Sequence, residues 1–373
     1  MMSPEAANSF TPPSSPDHRF AHATHILEQA MADRAFPGCA FGVLAGGKTI
    51  LLDARGRFTY GYDAPVVAAE TVFDIASITK VLATTAMAML LHQRGQLDLE
   101  TPLGELLPGF VSGRAHGDGA HLVTLHHLLA HNLGLPAYVQ FFRTAATPAA
   151  LLDACLEMLL EAEPGERSEY SDPGFTLLGK ALEAVVGESL ASWLTREIFR
   201  PLGLKATGFC PAPAARSAIP PTEMDTTFRM RRIQGEVQDE NAWVLEGVAG
   251  HAGLFSNVPD LLRFSGEIIE AAANSGRASL FSAATVELFA SRQGPHGSSR
   301  ALGWDTPSEN SSAGRHFSHR SIGHLGFSGC SLWLDLDAQL AVALLTNRTW
   351  PDRQNHLIRH VRQSFHDAVR EAL

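Results

Sequence analysis

The stretch Phe73-Asp74-Ile75-Ala76-Ser77-Ile78-Thr79-Lys80 decides how this sequence of 373 residues is interpreted. Thr71 to Ile75 has the composition of a short strand, and the Ala-, Leu- and Met-rich run from Ser77 to Leu91 predicts a helix that ends at Gly95. A Ser and a Lys three residues apart lie on one helix face, where hydroxyl and amine meet. The helix start also favours developing negative charge. The pattern therefore predicts a serine nucleophile that is activated without a histidine.

The rest of the chain combines strands near both ends with helices between them. The β-rich runs Cys39 to Ala45 and Lys48 to Ala54 flank Gly46-Gly47, which favours a tight hairpin, and two more strands are predicted at Cys330 to Leu336 and Leu340 to Asn347. Helical patterns occur at His22–Arg34, Leu125–His131, Pro148–Leu160, Phe175–Val186, Leu190–Phe199, Val258–Ala273 and Gln354–Leu373. No repeat of fixed period is present.

The pair Ser77 and Lys80 has a second interpretation, since a capping Ser followed by a solvated Lys gives the same pattern. The surrounding sequence favours the nucleophile, since Val123 to Pro136 has the form T-x-x-x-L-L-x-H-x-x-G-L-P and Gly95-Gln96-Leu97-Asp98-Leu99 precedes it. In these segments the sequence resembles the serine β-lactamase and penicillin-binding-protein-like family, in particular its class C-like esterase and DD-peptidase branch. The resemblance runs from about His22 to the last predicted helix.

The resemblance implies an α+β fold of the β-lactamase/transpeptidase type, in which an antiparallel sheet flanked by helices is joined to a mostly helical domain. We expect residues 21–75 and 295–373 to form the sheet domain and residues 76–294 the mainly helical one. The active site is expected at their junction. Residues 1–20, which are rich in Pro and Ser, are expected to be a disordered tail.

The family's second motif, Tyr-x-Asn, matches Tyr170-Ser171-Asp172. The resemblance implies that Tyr170 exchanges a proton with Ser77 and with the leaving group, and we expect Lys80 to lower its pKa. Asp172 departs from the family pattern. An Asn amide donates a hydrogen bond to a substrate carbonyl, whereas an ionised Asp only accepts and adds negative charge beside Lys80. Recognition of an acylamino side chain is therefore expected to differ.

The third motif matches His324-Leu325-Gly326, where β-lactamases carry Lys-Thr-Gly. By resemblance, the N–H groups of Ser77 and Phe327 form an oxyanion hole beside Gly326. An imidazole such as that of His324 is mostly neutral near pH 7, so the permanent cation that holds a substrate carboxylate is expected to be missing. This favours neutral esters over β-lactams or peptide termini.

The predicted function is that of a serine hydrolase that forms an acyl-enzyme on Ser77, with Lys80 and Tyr170 as the base. A carboxylesterase on small esters is the first expectation, and a DD-peptidase, D-aminopeptidase or weak β-lactamase linked to cell-wall metabolism is the alternative. A catalytically silent binding protein on the same fold is the rival from another class. The substrate is expected to be a small ester, amide or lactam, and no cofactor is expected.

Composition excludes other classes of function. The chain has 29 Lys and Arg against 39 Asp and Glu, a formal charge of −10, without a basic block, so a nucleic-acid partner is not expected. Four scattered cysteines favour free thiols. No secretory signal or membrane-spanning run is recognised, which predicts a cytoplasmic protein. Neither a phosphate-binding glycine motif nor G-x-S-x-G is present. The sequence leaves the oligomeric state open.

Three further features have two interpretations each. His121, His126, His127 and His131 suggest zinc, but without H-E-x-x-H they are better explained as structural, so no metal is expected. The second His-x-Gly, His251-Ala252-Gly253, and the preceding Asp239-Glu240-Asn241-Ala242 either line the cleft or only pack in a loop, and packing is preferred. The long segment Gly294 to Gly323 is either a mobile surface loop or a wall over the site.

Overall fold

A computed structural model describes residues 18–114, 118–309 and 311–373. Residues 1–17 of the predicted tail lie outside the described residues. Its last three residues, His18–Phe20, form a 3₁₀ turn in which Phe20 is buried. The strands are β1 (Gly38–Ala45), β2 (Lys48–Gly56), β3 (Phe73–Asp74), β4 (Gly208–Phe209), β5 (Pro221–Asp225), β6 (Arg231–Gln234), β7 (Leu254–Ser256), β8 (Ser321–Leu325), β9 (Ser331–Asp335) and β10 (Leu340–Thr346).

Most α-helices lie between β3 and β8, with one helix before the first strand and one after the last. The helices are α1 (Ala21–Ala32), α2 (Ala86–Gln93), α3 (Leu103–Leu106), α4 (Leu125–Leu129), α5 (Pro148–Leu156), α6 (Asp172–Val186), α7 (Leu190–Leu194), α8 (Glu240–Val244), α9 (Val258–Ala272), α10 (Ala283–Ala290) and α11 (Ile358–Glu371).

A five-stranded antiparallel sheet has the strand order β2-β1-β10-β9-β8. The predicted β1–β2 hairpin is present, and Gly46 and Gly47 both have positive φ, 56° and 76°, as its two-residue turn requires. Strands β1 and β10 meet although they come from opposite ends of the chain, with Phe41 opposite Leu344. The antiparallel sheet flanked by helices is thus confirmed.

Both faces of the sheet are covered, which explains why its central strands read as apolar runs. On one face, Phe41 and Val43 pack with α1 and α11, and the Phe41 ring meets Phe365 edge-on with 5.7 Å between ring centroids. On the other face Gly42 lies against α9, where a Cβ would collide with the side chains of Val258 and Leu262. Because successive side chains of a strand point to opposite faces, the strands of this sheet contribute to two hydrophobic clusters, one on each face.

The segment around Ser77 is anchored by a smaller sheet with the order β3-β7-β4. The predicted helix after it has three parts: a 3₁₀ turn (Ala76–Ile78), a π-helical turn (Lys80–Thr85) and α2, after which the chain turns at Gly95 with φ 67°. The π-helical turn is buried throughout. Ser77 is thus held at the rim of a rigid, buried helix.

The predicted division of the chain at residues 75/76 and 294/295 stays a prediction. Helix α9, which lies within 76–294, packs against β1 and β10 of the main sheet. Among the described residues, no helix has both the length and the apolarity that crossing a membrane needs. The cytoplasmic location also stays a prediction.

Candidate active site

Ser77 and Lys80 meet as the spacing predicts. The Lys80 ammonium donates to Ser77 Oγ at 3.2 Å, and Ser77 lines an open cavity of about 560 Å³. The residue before the serine, Ala76, has φ 46°, a left-handed conformation that is costly for a residue with a Cβ. This turn leaves Ser77 partly exposed above a fully buried Lys80.

Lys80 is surrounded by acceptors, which is how a buried ammonium is tolerated. Its Nζ donates to Asp172 Oδ1 at 2.6 Å and to the carbonyl oxygen of His251 at 3.1 Å, in addition to Ser77. Burial alone would lower the pKa of Lys80, but the Asp172 carboxylate and the Tyr170 phenol outweigh it and raise that pKa. The lysine is therefore a cation at neutral pH.

Tyr170 joins this group, with Lys80 Nζ 4.7 Å from the centroid of its ring and Ser77 within hydrogen-bonding reach of its phenol. Lys80 lowers the pKa of Tyr170 as expected, but the net shift of that pKa is upward. Burial raises the pKa of Tyr170, the charge of Lys80 offsets only part of this, and Asp172 adds to the increase. The phenol is consequently protonated at neutral pH.

The start of helix α6 positions Tyr170 and Asp172. Ser171 caps this helix, since its Oγ accepts from the N–H of Gly174 at 3.1 Å and donates to the carbonyl of Pro136 at 2.9 Å. The N–H of Ser171 donates to Nδ1 of His131, whose ring packs against that of Tyr170 at an interplanar angle of 35°, with 4.8 Å between centroids. The T-x-x-x-L-L-x-H-x-x-G-L-P segment therefore orients the tyrosine.

The predicted histidines have structural partners. Besides His131, His127 completes the capping box of α4, with its Nδ1 3.0 Å from Thr124 Oγ1. A group of three buried carboxylates, Glu223, Asp225 and Glu240, has metal-like spacing among the described residues, with ligand atoms within 4.8 Å of one another. These carboxylates are paired with guanidinium groups of Arg229 and Arg353. The cluster therefore contains its own countercharges.

The third motif ends strand β8 beside the cavity. His324 Nδ1 donates to the carbonyl of Leu325 at 2.8 Å, and its buried Nε2 has no hydrogen-bond partner among the described residues. Burial holds the pKa of His324 well below its ordinary value, with Lys80 and Arg300 acting in the same direction. A neutral imidazole, as expected, stands where β-lactamases of the family carry lysine.

Phe327 follows in the turn after β8. Gly326 is held there by its N–H, which donates to the carbonyl of Cys330 at 2.7 Å, and a Cβ at Gly326 would press against the carbonyl of Ile75. Within the described part of the chain, the N–H of Phe327 has no hydrogen-bond acceptor. This turn thus lies close to the segment before Ser77, and the role of Phe327 as an oxyanion donor stays a prediction.

The expectation that no permanent cation holds a substrate carboxylate rested on His324 alone, and the described part of the cavity wall carries other cations. Five arginines line the cavity: Arg300, Arg348, Arg353, Arg359 and Arg362. Arg353 is neutralised by Glu223 and Glu240, while the guanidinium groups of Arg348 and Arg362 donate to backbone carbonyls. Each of these residues is far in sequence from the third motif, which is why the motif alone did not reveal them.

Arg300 lies beside the ring of Tyr170. Its guanidinium carbon lies 5.3 Å from the centroid of the Tyr170 ring, and its nearest carboxylate among the described residues, Asp305, is 3.8 Å away. Both residues line the cavity and belong to the long segment Gly294 to Gly323. Of the two interpretations of this segment, the wall over the site is therefore confirmed.

The Asp239 segment and His251 do more than the preferred packing interpretation allowed. Asp239 and Glu240 line the cavity, and Asp239 Oδ1 lies 3.0 Å from His251 Nε2. The carbonyl of His251 accepts from Lys80, and neighbouring Gly250 makes this possible, because a Cβ there would collide with the carbonyl of Phe175. The signals in the sequence were the second His-x-Gly and the Asp239-Glu240-Asn241-Ala242 segment before it.

Comparison with known proteins agrees with this geometry. A relative from Bacillus subtilis (strain 168), named N-acetylmuramyl-L-alanine amidase, is 30% identical over 87% of this chain and 79% of its own length. A relative from Escherichia coli O157:H7, provisionally named a D-alanyl-D-alanine carboxypeptidase, is 29% identical over 85% of this chain and 79% of its own. The solved structure of EstCE1, a hydrolase with promiscuous acyltransferase activity, has a TM-score of 0.75 at 22% identity and covers 94% of this chain and 98% of that chain, a likeness of fold.

The fold and the comparisons together define a class of serine hydrolases and acyltransferases that act on small ester, amide, peptide and lactam substrates. The family itself follows from the sequence, because the family model described as Beta-lactamase matches residues 23–364. The chain belongs to the beta-lactamase family.

Proposed function

We propose that this protein hydrolyses an amide bond in a small, negatively charged peptide or peptidoglycan fragment through an acyl-enzyme on Ser77. The observation that carries the proposal is Arg300, a guanidinium beside Tyr170 without a carboxylate at hydrogen-bonding distance. Such a group binds a substrate carboxylate in a bidentate manner. The name of the Bacillus subtilis relative supports an amide as the bond that is cleaved.

The proposed reaction begins with loss of the Ser77 proton. The pKa values of Lys80 and Tyr170 are both raised, so both groups carry their protons in most molecules. The proton acceptor for Ser77 is therefore the small fraction in which one of them has lost its proton, most simply the Tyr170 phenolate. Ser77 Oγ then bonds to the acyl carbon, and the oxyanion is stabilised by the N–H groups of Ser77 and Phe327. Tyr170 returns the proton to the leaving nitrogen as the C–N bond breaks. Water then attacks the acyl carbon while Tyr170 accepts its proton, and Ser77 Oγ leaves with the proton that Tyr170 gives back.

The rest of the cavity supports a polar substrate. Arg348, Arg359 and Arg362 have no ion-pair partner among the described residues, so this side of the cavity has unneutralised positive charge. Arg348 also covers Phe327, with its guanidinium carbon 4.4 Å from the centroid of that ring. An acidic group of the substrate would therefore lie close to the proposed oxyanion donor.

A carboxylesterase for small neutral esters is the second candidate. It is favoured by His324, whose buried neutral ring adds no charge beside the nucleophile. DD-peptidase and weak β-lactamase activities are outcomes of the same substrate comparison, whereas D-aminopeptidase activity is measured with a D-amino-acid amide.

The test uses a pair of N-acyl dipeptides that differ only in a free or an amidated carboxylate, together with p-nitrophenyl butyrate and nitrocefin. We expect the wild type to prefer the free carboxylate, and Arg300→Ala to lose about 10- to 100-fold in kcat/KM for that substrate alone, as expected for a charge-assisted hydrogen bond. Arg315→Ala is the matched control, because Arg315 lies in the same segment but pairs with Asp367 at the surface.

Three results contradict the proposal. One is equal loss for the charged and the amidated dipeptide, which means that Arg300 does not bind the carboxylate. Another is a kcat/KM for p-nitrophenyl butyrate above that for both dipeptides, which supports the esterase instead. The third is full activity of Ser77→Ala, which removes the acyl-enzyme altogether.

A further inference from the structure

We propose that Asp74 is a positioning residue, which holds Ser77 in its reactive place by fixing the left-handed backbone of Ala76. This inference rests on the proposed role of Ser77. Asp74 lies in strand β3, three residues before Ser77, and is 2% exposed. It does not line the cavity, so it acts through other residues.

Both carboxylate oxygens of Asp74 accept a backbone N–H. Oδ1 accepts from Ala76 at 2.8 Å and Oδ2 accepts from Gln238 at 2.7 Å. The main chain of Asp74 is fixed as well, since its carbonyl accepts from Ser328 Oγ at 2.7 Å. One buried carboxylate therefore connects the turn before the nucleophile with residue 238, which precedes Asp239 in the cavity wall.

The bond to Ala76 matters because of that residue's backbone. Its φ of 46° is left-handed, and an alanine in this conformation is held there only by its surroundings. The 3₁₀ turn that presents Ser77 starts at this residue. Without the bond from Asp74, the turn can relax toward ordinary helical φ and carry Ser77 Oγ away from Lys80 and Tyr170.

The carboxylate form is the one with two acceptors. Burial raises the pKa of Asp74 to about 6, while the two N–H bonds and Arg229 act against this and Asp239 acts with it. An amide in its place has one acceptor oxygen, and its NH₂ group would face a backbone N–H. Asp74→Asn thus removes one of the two bonds at nearly constant size.

The experiment measures kcat, KM and the rate at which a fluorophosphonate labels Ser77, in Asp74→Asn with either Ala or Gly at position 76. We expect Asp74→Asn to lower kcat and the labelling rate by about 10- to 100-fold, with KM changed by less than about threefold. In the Ala76→Gly background the loss should shrink by about five- to thirty-fold, because glycine adopts positive φ freely.

Asp260→Asn is the matched control, since Asp260 is also buried and accepts a backbone N–H, from Ala206 at 2.7 Å, away from the cavity. Its kcat should stay within about twofold of the wild type. If Asp74→Asn does not fold, Asp74→Ser serves instead, because a serine hydroxyl still reaches an N–H two residues on. It should then keep more activity than Asp74→Ala.

Two outcomes overturn the inference: an Asp74→Asn loss of the same size in both backgrounds, or unchanged labelling of Ser77. If Asp74→Asn does not fold, equal activity of Asp74→Ser and Asp74→Ala overturns it. Failure of the wild type to be labelled at Ser77 is a different result, since it contradicts the proposed function itself.

Discussion

Asp172→Asn tests how charge controls the proton acceptor for Ser77. The Asp172 carboxylate lies 2.6 Å from Lys80 Nζ and raises the pKa of both Lys80 and Tyr170. Catalysis needs one of these two groups without its proton, so activity rises as pH passes through the lower of their coupled pKa values. Removing the negative charge lowers both pKa values. We therefore expect the ascending limb of the kcat profile to move to lower pH.

The size of the movement follows from the contact. A close opposite charge shifts a side-chain pKa by about 1–3 units. The Lys80 side chain is 0% exposed and that of Asp172 17%, so water screens their interaction little. We expect the limb to move by at least about one pH unit, equivalent to about 1.4 kcal/mol. Below the wild-type midpoint this makes the variant about tenfold faster at equal pH.

The assay is kcat against pH between 5.5 and 10 on a single substrate, with a melting curve at each pH to verify folding. Asp305→Asn is the control, since its carboxylate also lines the cavity but lies beside Arg300, and it should leave the position of the limb unchanged. A limb that stays in place in Asp172→Asn, or moves to higher pH, would refute this account of the pair.

Two further predictions concern the catalytic group and the stability of the fold. Ser77→Ala, Lys80→Ala and Tyr170→Phe should each lower kcat by about 1,000-fold or more with little change in KM for Tyr170→Phe, and residual turnover near the wild-type level would exclude the residue concerned. Buried His366, whose Nε2 lies 3.2 Å from Ser331 Oγ, has its pKa lowered by burial from 6.5 to about 4. The unfolded chain then binds more protons between those values, so stability is full above pH 6.5 and falls by about 3 kcal/mol toward pH 4. Urea unfolding of the wild type and His366→Gln at pH 7.5 and 4.5 measures this difference, and an equal pH dependence in both would contradict it.

The elements of the sheet were predictable because their signals are local. β-rich composition and the Gly46-Gly47 turn define β1 and β2, and apolar runs define β9 and β10. The pairing of β1 with β10 could not be predicted from local sequence, because it joins residues about 300 positions apart. Only the family resemblance supplied that expectation. The nucleophile helix was predicted as regular, and its π-helical turn at Lys80–Thr85 was not, since ordinary helix formers occupy it.

The residues of the candidate site also differ in whether a local sequence pattern predicts them. Spacing alone brought Ser77 and Lys80 together, and the Tyr170 motif added the third group. The sign of the Tyr170 pKa shift was missed because burial, which no short motif encodes, outweighs the nearby cation. Arg300 was missed for a related reason: a basic residue in a polar loop is usually solvated, and only the folded segment brings it to 5.3 Å from the Tyr170 ring.

The catalytic residues and the arginines that line the cavity come from different parts of the chain. Ser77, Lys80 and Tyr170 are fixed by hydrogen bonds among short segments that bury the lysine completely. The arginines come from the 294–323 segment and from residues 348–362, after the last strand of the sheet. The two sets are nevertheless in contact, because Arg348 and Arg362 donate to the carbonyls of Phe327 and Gly326 in the turn after β8. Relatives at about 30% identity bear the names of an amidase and a carboxypeptidase, so the family alone does not specify the bond that is cleaved, and under the proposed function Arg300 is the residue expected to reflect the substrate of this chain.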